Sequence, residues 1–317
     1  TLGALRACVG LGAAPPSVAV PEPTPIASIA KSPSRADTDA SLFFYGLNNG
    51  SVQVWNVHDD GETSVLVLRD EHHAHPSQVT ALLLVDADQS LLSAGGSDDN
   101  DRSGGLNEVL QWNLKFSIVV ARYRAHTKWI RSLVGSADGR TFYSCSNDGT
   151  VCRWPVLPTS TRVARAAAVI SPELVIRPRP VPYLAVQDPL RNEWIRSIAL
   201  TDSGLTLFSA GNDRTLRRWN TQTGEQEKIY LGHENKLACV DVPRGPHPLF
   251  VFSGSNDGFI FQWSIARALI LTKIECRTAI TFINLSTVRA RARAAPPAPG
   301  HAPVSYTHLR AHETDSY

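Results

Sequence analysis

His126, Ser144 and Asp148 carry the side-chain types of a serine hydrolase: a nucleophile, a base and a carboxylate to orient the base. The chemistry would be acyl transfer. The same types return as His233, Ser253 and Asp257 at nearly the same spacing. An enzyme needs one such set and not copies of it, so both are read as structural and no catalytic residue is assigned. A second cluster, His72, His73 and His75 beside Asp70 and Glu71, has the types of a metal site. No cysteine pair lies near it. It is read as a solvated loop, and neither a metal nor a cofactor is expected. Cys145 and Cys152 flank a turn at 147–150. They are read as packed, reduced thiols, because five scattered cysteines do not make a disulfide framework.

The elements that position these residues recur as well. "SNDGTVCRW" (146–154) is followed by "GNDRTLRRW" (211–219) and "SNDGFIFQW" (255–263), and preceded by a weaker "LNNGSVQVW" (47–55). Asp-Gly between two β-type runs is a hairpin signal. The Trp closing each such run gives Trp55, Trp112, Trp154, Trp219 and Trp263, spaced by 57, 42, 65 and 44 residues. Two of these spacings match a repeat of about 40–45 residues. The others are that repeat plus insertions, at 96–105 and at 157–190. A short strand near 162–170 is expected to complete the blade interrupted by the longer insertion. Between the markers run strand-sized apolar segments such as "QVTALLLV" and "SLLSAG", separated by turn clusters. Nothing resembles a long amphipathic helix.

This pattern resembles the WD40-repeat β-propeller family. The pieces that carry the likeness are "AHTKWIRSLVGSADGRTFYSCSNDGTVCRWP" and "GHENKLACVDVPRGPHPLFVFSGSNDGFIFQWS". The Asp that follows Trp in the family is absent; Asn56, Asn113, Pro155, Asn220 and Ser264 stand there instead. The resemblance implies an all-β propeller of at least five four-stranded antiparallel blades over 41–286, with a sixth beginning near "AITFINLS". It also implies a buried polar set in each repeat: a His, a Ser on the second strand, the turn Asp and the Trp indole. The third repeat supplies His126, Ser144, Asp148 and Trp154, and the fifth His233, Ser253, Asp257 and Trp263. The fourth has Ser209, Asp213 and Trp219, with Arg191 where the His would be. The second has His75, Ser93 and Trp112, with Asp98 or Asp99 as the turn carboxylate. The first keeps Trp55 and little else. The third and fifth repeats are therefore expected to be the most rigid.

Partners in the family dock on the end that carries the tight turns and the starts of the first strands. Here that end holds Asn48, Asn147, Asn212 and Asn256, each seven residues before a marker Trp. It also holds "WIRS" twice, giving Trp129 with Arg131 and Trp194 with Arg196. Trp and Arg are the types enriched at interface hot spots. The expected role is a non-catalytic scaffold for protein partners. The alternatives are a regulatory propeller of a larger enzyme, of the kinase or ubiquitin-ligase kind, or a reader of modified peptides or RNA. A net charge of +2 gives little support to nucleic acid. No apolar run approaches a membrane span, and a cytoplasmic or nuclear location is expected.

The ends are read differently. Residues 1–40, rich in Pro and Ala, are expected to be a mostly irregular linker. The chain starts at Thr1 and contains no Met, so a natural start and any targeting signal are expected upstream. Residues 304–314, "VSYTHLRAHET", resemble a translated sequencing-library adapter. All of 287–317 is read as a non-native or disordered tail.

Overall fold

The structure, a computed structural model, describes residues 26–31, 40–58, 63–68, 75, 77–85, 89–96, 107–158, 167–178, 193–245, 247–276, 278–287 and 307–313. Among them every regular element is a strand. Blade one is β1 (Ile26–Lys31), β2 (Ala40–Leu47), β3 (Val52–His58) and β4 (Thr63–Leu68), paired antiparallel in that order. Blade two is β5 (Val79–Val85), β6 (Ser90–Gly95), β7 (Glu108–Asn113) and β8 (Ile118–Arg124). Blade three uses β9 (Ile130–Gly135), β10 (Thr141–Ser146) and β11 (Val151–Pro155). Two short strands follow, β12 (Ala168–Ile170) and β13 (Leu174–Ile176). Blade four is β14 (Ile195–Leu200), β15 (Thr206–Gly211), β16 (Leu216–Asn220) and β17 (Gln226–Tyr230). Blade five is β18 (Leu237–Asp241), β19 (Phe250–Ser255), β20 (Phe259–Ser264) and β21 (Ile270–Glu275). A sixth sheet pairs β22 (Ile280–Thr287) with β23 (Thr307–Glu313).

Among the described residues the core is not one mass but five clusters, each between neighbouring sheets. Phe44, Val79 and Leu110 fill the gap between blades one and two, and Tyr123, Phe142 and Cys152 that between two and three. Tyr143, Ile195 and Leu207 lie between three and four, Phe208, Leu237 and Val251 between four and five, and Phe252 and Ile280 between five and the sixth sheet. Each of blades two to five thus has both faces dried by its neighbours, which is why β6 is buried at all six positions instead of alternating. Four marker indoles, Trp112, Trp154, Trp219 and Trp263, are at most 1% exposed, and each faces the preceding blade. Full burial of a large apolar side chain contributes about 1.5–3 kcal/mol. Hydroxyls also tie neighbouring first strands: Ser28 donates to the Val79 carbonyl at 3.0 Å and Thr80 to that of Ile130.

Two expectations need correction. The strand that completes blade three is β13, whose Leu174 and Ile176 turn inward; β12 instead lies parallel on the outer edge of β8 in blade two. "LVI" offers the alternating apolar side chains a blade edge needs, whereas Val169 of β12 is 61% exposed. β1 falls within 1–40, read as mostly irregular, and Pro25 and Pro33 bound "IASIAK" without interrupting it. Residues 307–313, expected outside the fold, lie along β22. Ladder pairing satisfies main-chain groups whatever the side chains, so the edge of β22 accepts such a segment.

The missing Asp after Trp is also explained. Asn113 Oδ1 accepts from the amides of Lys115 (3.0 Å) and Phe116 (3.2 Å), and Asn220 Oδ1 from those of Gln222 (2.9 Å) and Thr223 (3.2 Å). An amide oxygen caps this turn as a carboxylate does.

Candidate functional site

In blade three, Asp148 Oδ2 lies 2.9 Å from His126 Nδ1, and His126 Nε2 lies 2.7 Å from Ser144 Oγ. The Trp154 indole N–H donates to the same Ser144 oxygen at 2.8 Å. The carboxylate also accepts from the Thr127 and Thr150 amides, at 2.9 and 2.8 Å. Blade five repeats this with His233, Asp257 (2.8 Å), Ser253 (2.8 Å) and Trp263 (2.7 Å). Ser144 and Ser253 are fully buried, and each is already engaged by an indole and an imidazole. No substrate reaches such an oxygen; the sets are internal struts.

The two histidines differ electrically. Burial works against charge on His126, but hydrogen bonding to Asp148 and Cys152 outweighs it and lifts its pKa to about 9. Asp148, despite its burial, is held at about 2 by His126 and Thr150. His233 goes the other way: burial lowers its pKa more than Asp257 restores it, and Lys273 adds to the lowering. The residue two before the marker Trp differs between them. In blade five it is Phe261, stacked on His233 at 4.0 Å; in blade three it is Cys152.

That same position decides the other blades. In blade four it is Arg217, 4% exposed, which donates to Asp213 Oδ2 at 2.6 Å, Thr215 Oγ1 at 3.1 Å and Gln226 Oε1 at 2.6 Å. The missing histidine is thus replaced by a guanidinium from the third strand, and the Trp219 indole still donates to Ser209 at 2.8 Å. In blade two it is Leu110. His75 bonds Ser93 (2.8 Å), which accepts from Trp112 (2.8 Å), but its Nδ1 has no partner among the described residues. Burial and the nearby Arg122 push its pKa down to about 3, so this imidazole is neutral. In blade one it is Gln53, which takes the Trp55 indole N–H at 3.1 Å. Tyr45 stands where Ser is expected and meets Trp55 edge-on at 5.9 Å, so Trp55 joins no polar set. Arg191, Asp98, Asp99, His72 and His73 lie outside the described residues.

Cys145 pairs with Val151 and Cys152 with Ser144, so the two thiols sit on opposite faces of blade three. Both are free.

The surface candidates come together at one end of blades three and four. The Arg131 guanidinium lies 4.5 Å from the Trp129 ring and 5.8 Å from that of Trp194 on the next blade; Arg196 lies 5.9 Å from Trp194. A register shift at the start of each first strand leaves Arg131 and Arg196 as the extra residues. Such a bulge re-aims a side chain. Asn147 and Asn212, expected to face a partner, are 2% and 3% exposed. Their carbonyl oxygens instead accept from the Arg131 and Arg196 Nε–H groups at 2.9 and 2.6 Å. Asn48 and Asn256 are exposed. Ala238 stands in blade five where blades three and four have Arg, which leaves Asn256 uncovered.

The family model for the WD domain, G-beta repeat, matches residues 117–155, 189–220 and 224–264. The chain is a WD40-repeat protein. Two of the matched WD40 repeats begin in or just before the outermost strand of one blade, β8 or β17, and end in the third strand of the next. Nuclear distribution protein PAC1 of Arthroderma benhamiae is 23% identical over 198 residues, covering 46% of this chain and 41% of that protein. Small ribosomal subunit protein RACK1 of Saccharomyces cerevisiae is 23% identical over 202 residues, 55% of this chain and 61% of its own length. Eukaryotic translation initiation factor 3 subunit I of Nematostella vectensis is 30% identical over 103 residues, covering 32% and 31%. The chain thus spans between a third and three fifths of these WD40 relatives. No helix among the described residues is long and apolar enough to cross a membrane.

Proposed function

We propose that this WD40 chain is a non-catalytic scaffold that docks a protein partner on the Trp129–Arg131–Trp194–Arg196 ladder, in the cytoplasm or nucleus. One observation carries the reading: a guanidinium held between two indoles contributed by adjacent blades. All four side chains are partly exposed, and buried asparagines fix both arginines before any partner arrives. Preorganisation of this kind lowers the ordering cost of association. Two relatives are by name a ribosomal subunit protein and an initiation-factor subunit, which supports a place in a larger assembly.

The test is Trp129→Ala with Trp194→Ala in the full chain, after its melting temperature is checked against the parent. Quantitative affinity purification should lose at least one protein partner. Retention of every partner by a folded double variant ends the proposal. A second reading, single-stranded RNA, rests on the same ladder, because indoles and guanidiniums stack on unpaired bases. Oligouridine that bound the parent and not the double variant would favour it.

A further inference from the structure

Among the described residues, blade two carries a fifth strand that no other blade has. The outermost strands β4, β13, β17 and β21 of the other blades have no strand beyond them, whereas β8 takes β12 along its outer edge. The hold of β12 is slight. It meets only Ala121, Arg122 and Tyr123 of the seven residues of β8, and it runs parallel, the less stable pairing per residue. Ala168 and Val169 are exposed; Ile170 is half-buried against the apolar cluster between blades two and three.

The edge beneath it is fit to pair. Ile118–Ala121 has neither charge nor proline to blunt it. Both arginines of β8 are drawn back to Glu108 on β7, Arg122 at 2.6 Å and Arg124 at 2.7 Å. The seat of Ile170 does not depend on β12. Leu157, which closes the same cluster, is fixed to blade two by Gln111, which donates to its carbonyl at 2.7 Å and accepts from its amide at 3.2 Å. Nor does β13 depend on β12. Three residues separate the two strands, and the last of them, Glu173, is held on blade three: its amide donates to the Arg153 carbonyl at 2.9 Å and its carboxylate meets the Arg153 guanidinium at 3.0 Å. β12 can leave while both blades keep their pairing.

We propose that the outer edge of β8 is a strand-docking site for an extended, uncharged segment of another protein, with a branched aliphatic side chain in the place of Ile170, and that β12 is its built-in occupant. The chemistry of the guest is read from the strand already seated there. Main-chain hydrogen bonds give such an added strand its affinity, and the seat of Ile170 its specificity. A guest that also pairs with Ile118, Val119 and Val120 gains ladder contacts that β12 does not make. β12 competes because it is tethered, at high effective concentration.

The test is an NMR titration of the full chain with a synthetic peptide of residues 166–172, Ala-Ala-Ala-Val-Ile-Ser-Pro. Ala168→Pro with Val169→Pro in the chain releases β12 without touching the core. Both side chains are exposed, and amides alternate along a strand, so one of the two prolines removes a ladder donor. Once its melting temperature is matched to the parent's, this variant should bind the peptide at least about tenfold tighter than the parent does, with shifts centred on Ile118–Arg124. Ile170→Asp in the chain unseats β12 through its side chain and should give the same gain. The peptide bearing both prolines should bind at least about tenfold more weakly than the unaltered peptide. Adding Trp129→Ala with Trp194→Ala should change nothing, which separates this edge from the indole ladder. Absence of binding by the folded variants, equal binding by parent and variants, or equal binding of the proline-bearing peptide overturns the proposal. So does a dimer of the variants formed in place of peptide binding, since the occupant would then be a second copy.

Discussion

In blade three the carboxylate of Asp148 meets an imidazole from the loop that precedes the blade, 22 residues earlier; in blade four Asp213 meets a guanidinium four residues along its own sheet. Both charges are answered. In blade three the answer also fastens the incoming loop, through His126 and the Thr127 amide. Neutralising the turn carboxylate and pinning the chain that enters the blade are joined there in one histidine. In blade four Arg217 answers the carboxylate from the third strand of the same sheet.

Three measurements strain this comparison. Arg217→Met strands the Asp213 carboxylate and is expected to cost about 3 kcal/mol in urea unfolding, with much of it restored by adding Asp213→Asn. A loss below about 1 kcal/mol would mean that the carboxylate is answered by Thr215 and water, and the parallel with His126 would fail. The next tests the two imidazoles by NMR titration. His126 should titrate near 9 and His233 below the usual histidine value of about 6.5. The linkage follows from those directions. A raised histidine pKa gives stability that is complete below about 6.5 and fades as pH rises through about 9. Asp148 adds stability above about 4 that is lost as pH falls through about 2. For His233, protonation favours the unfolded chain, so blade five weakens as pH drops below about 6.5. Two identical titrations would show that Cys152 and Phe261 do not set the difference. The smallest effect is at the turn. Gly149 and Gly258 have φ of 79° and 83°, while Arg214 holds the same place at 63°. Arg214→Gly should raise stability by about 1 kcal/mol, read as a higher denaturation midpoint.

Much of this architecture is written in the chain. Trp at the end of each third strand marks every blade, and Asn-Asp-Gly locates the central hairpins of blades three and five, because a left-handed turn residue and a buried indole each demand a narrow set of residue types. What sequence concealed was the position two before the Trp. Gln53, Leu110, Cys152, Arg217 and Phe261 have no common chemistry, so no pattern marks them. Yet each lies across the sheet from the serine position and decides which polar bonds close. The bulges at Arg131 and Arg196 were hidden for the same reason: nothing in "WIRS" distinguishes an extra residue from a paired one. The burial of Asn147 and Asn212 follows from those bulges and was out of reach with them. β13 was missed because three residues are too few to show a period.

The stagger between matched repeats and sheets has a consequence for how such a chain is assembled over generations. The unit that is copied along the polypeptide is not the unit that folds. Two of the copies, 117–155 and 224–264, lend their opening segments to the rim of the sheet before them, like shingles laid with overlap. Excising one copy cleanly between two seams leaves the preceding sheet without its rim, and a new rim must be borrowed from the copy that follows. The outer edge of β8, one such lent rim, carries the parallel strand β12.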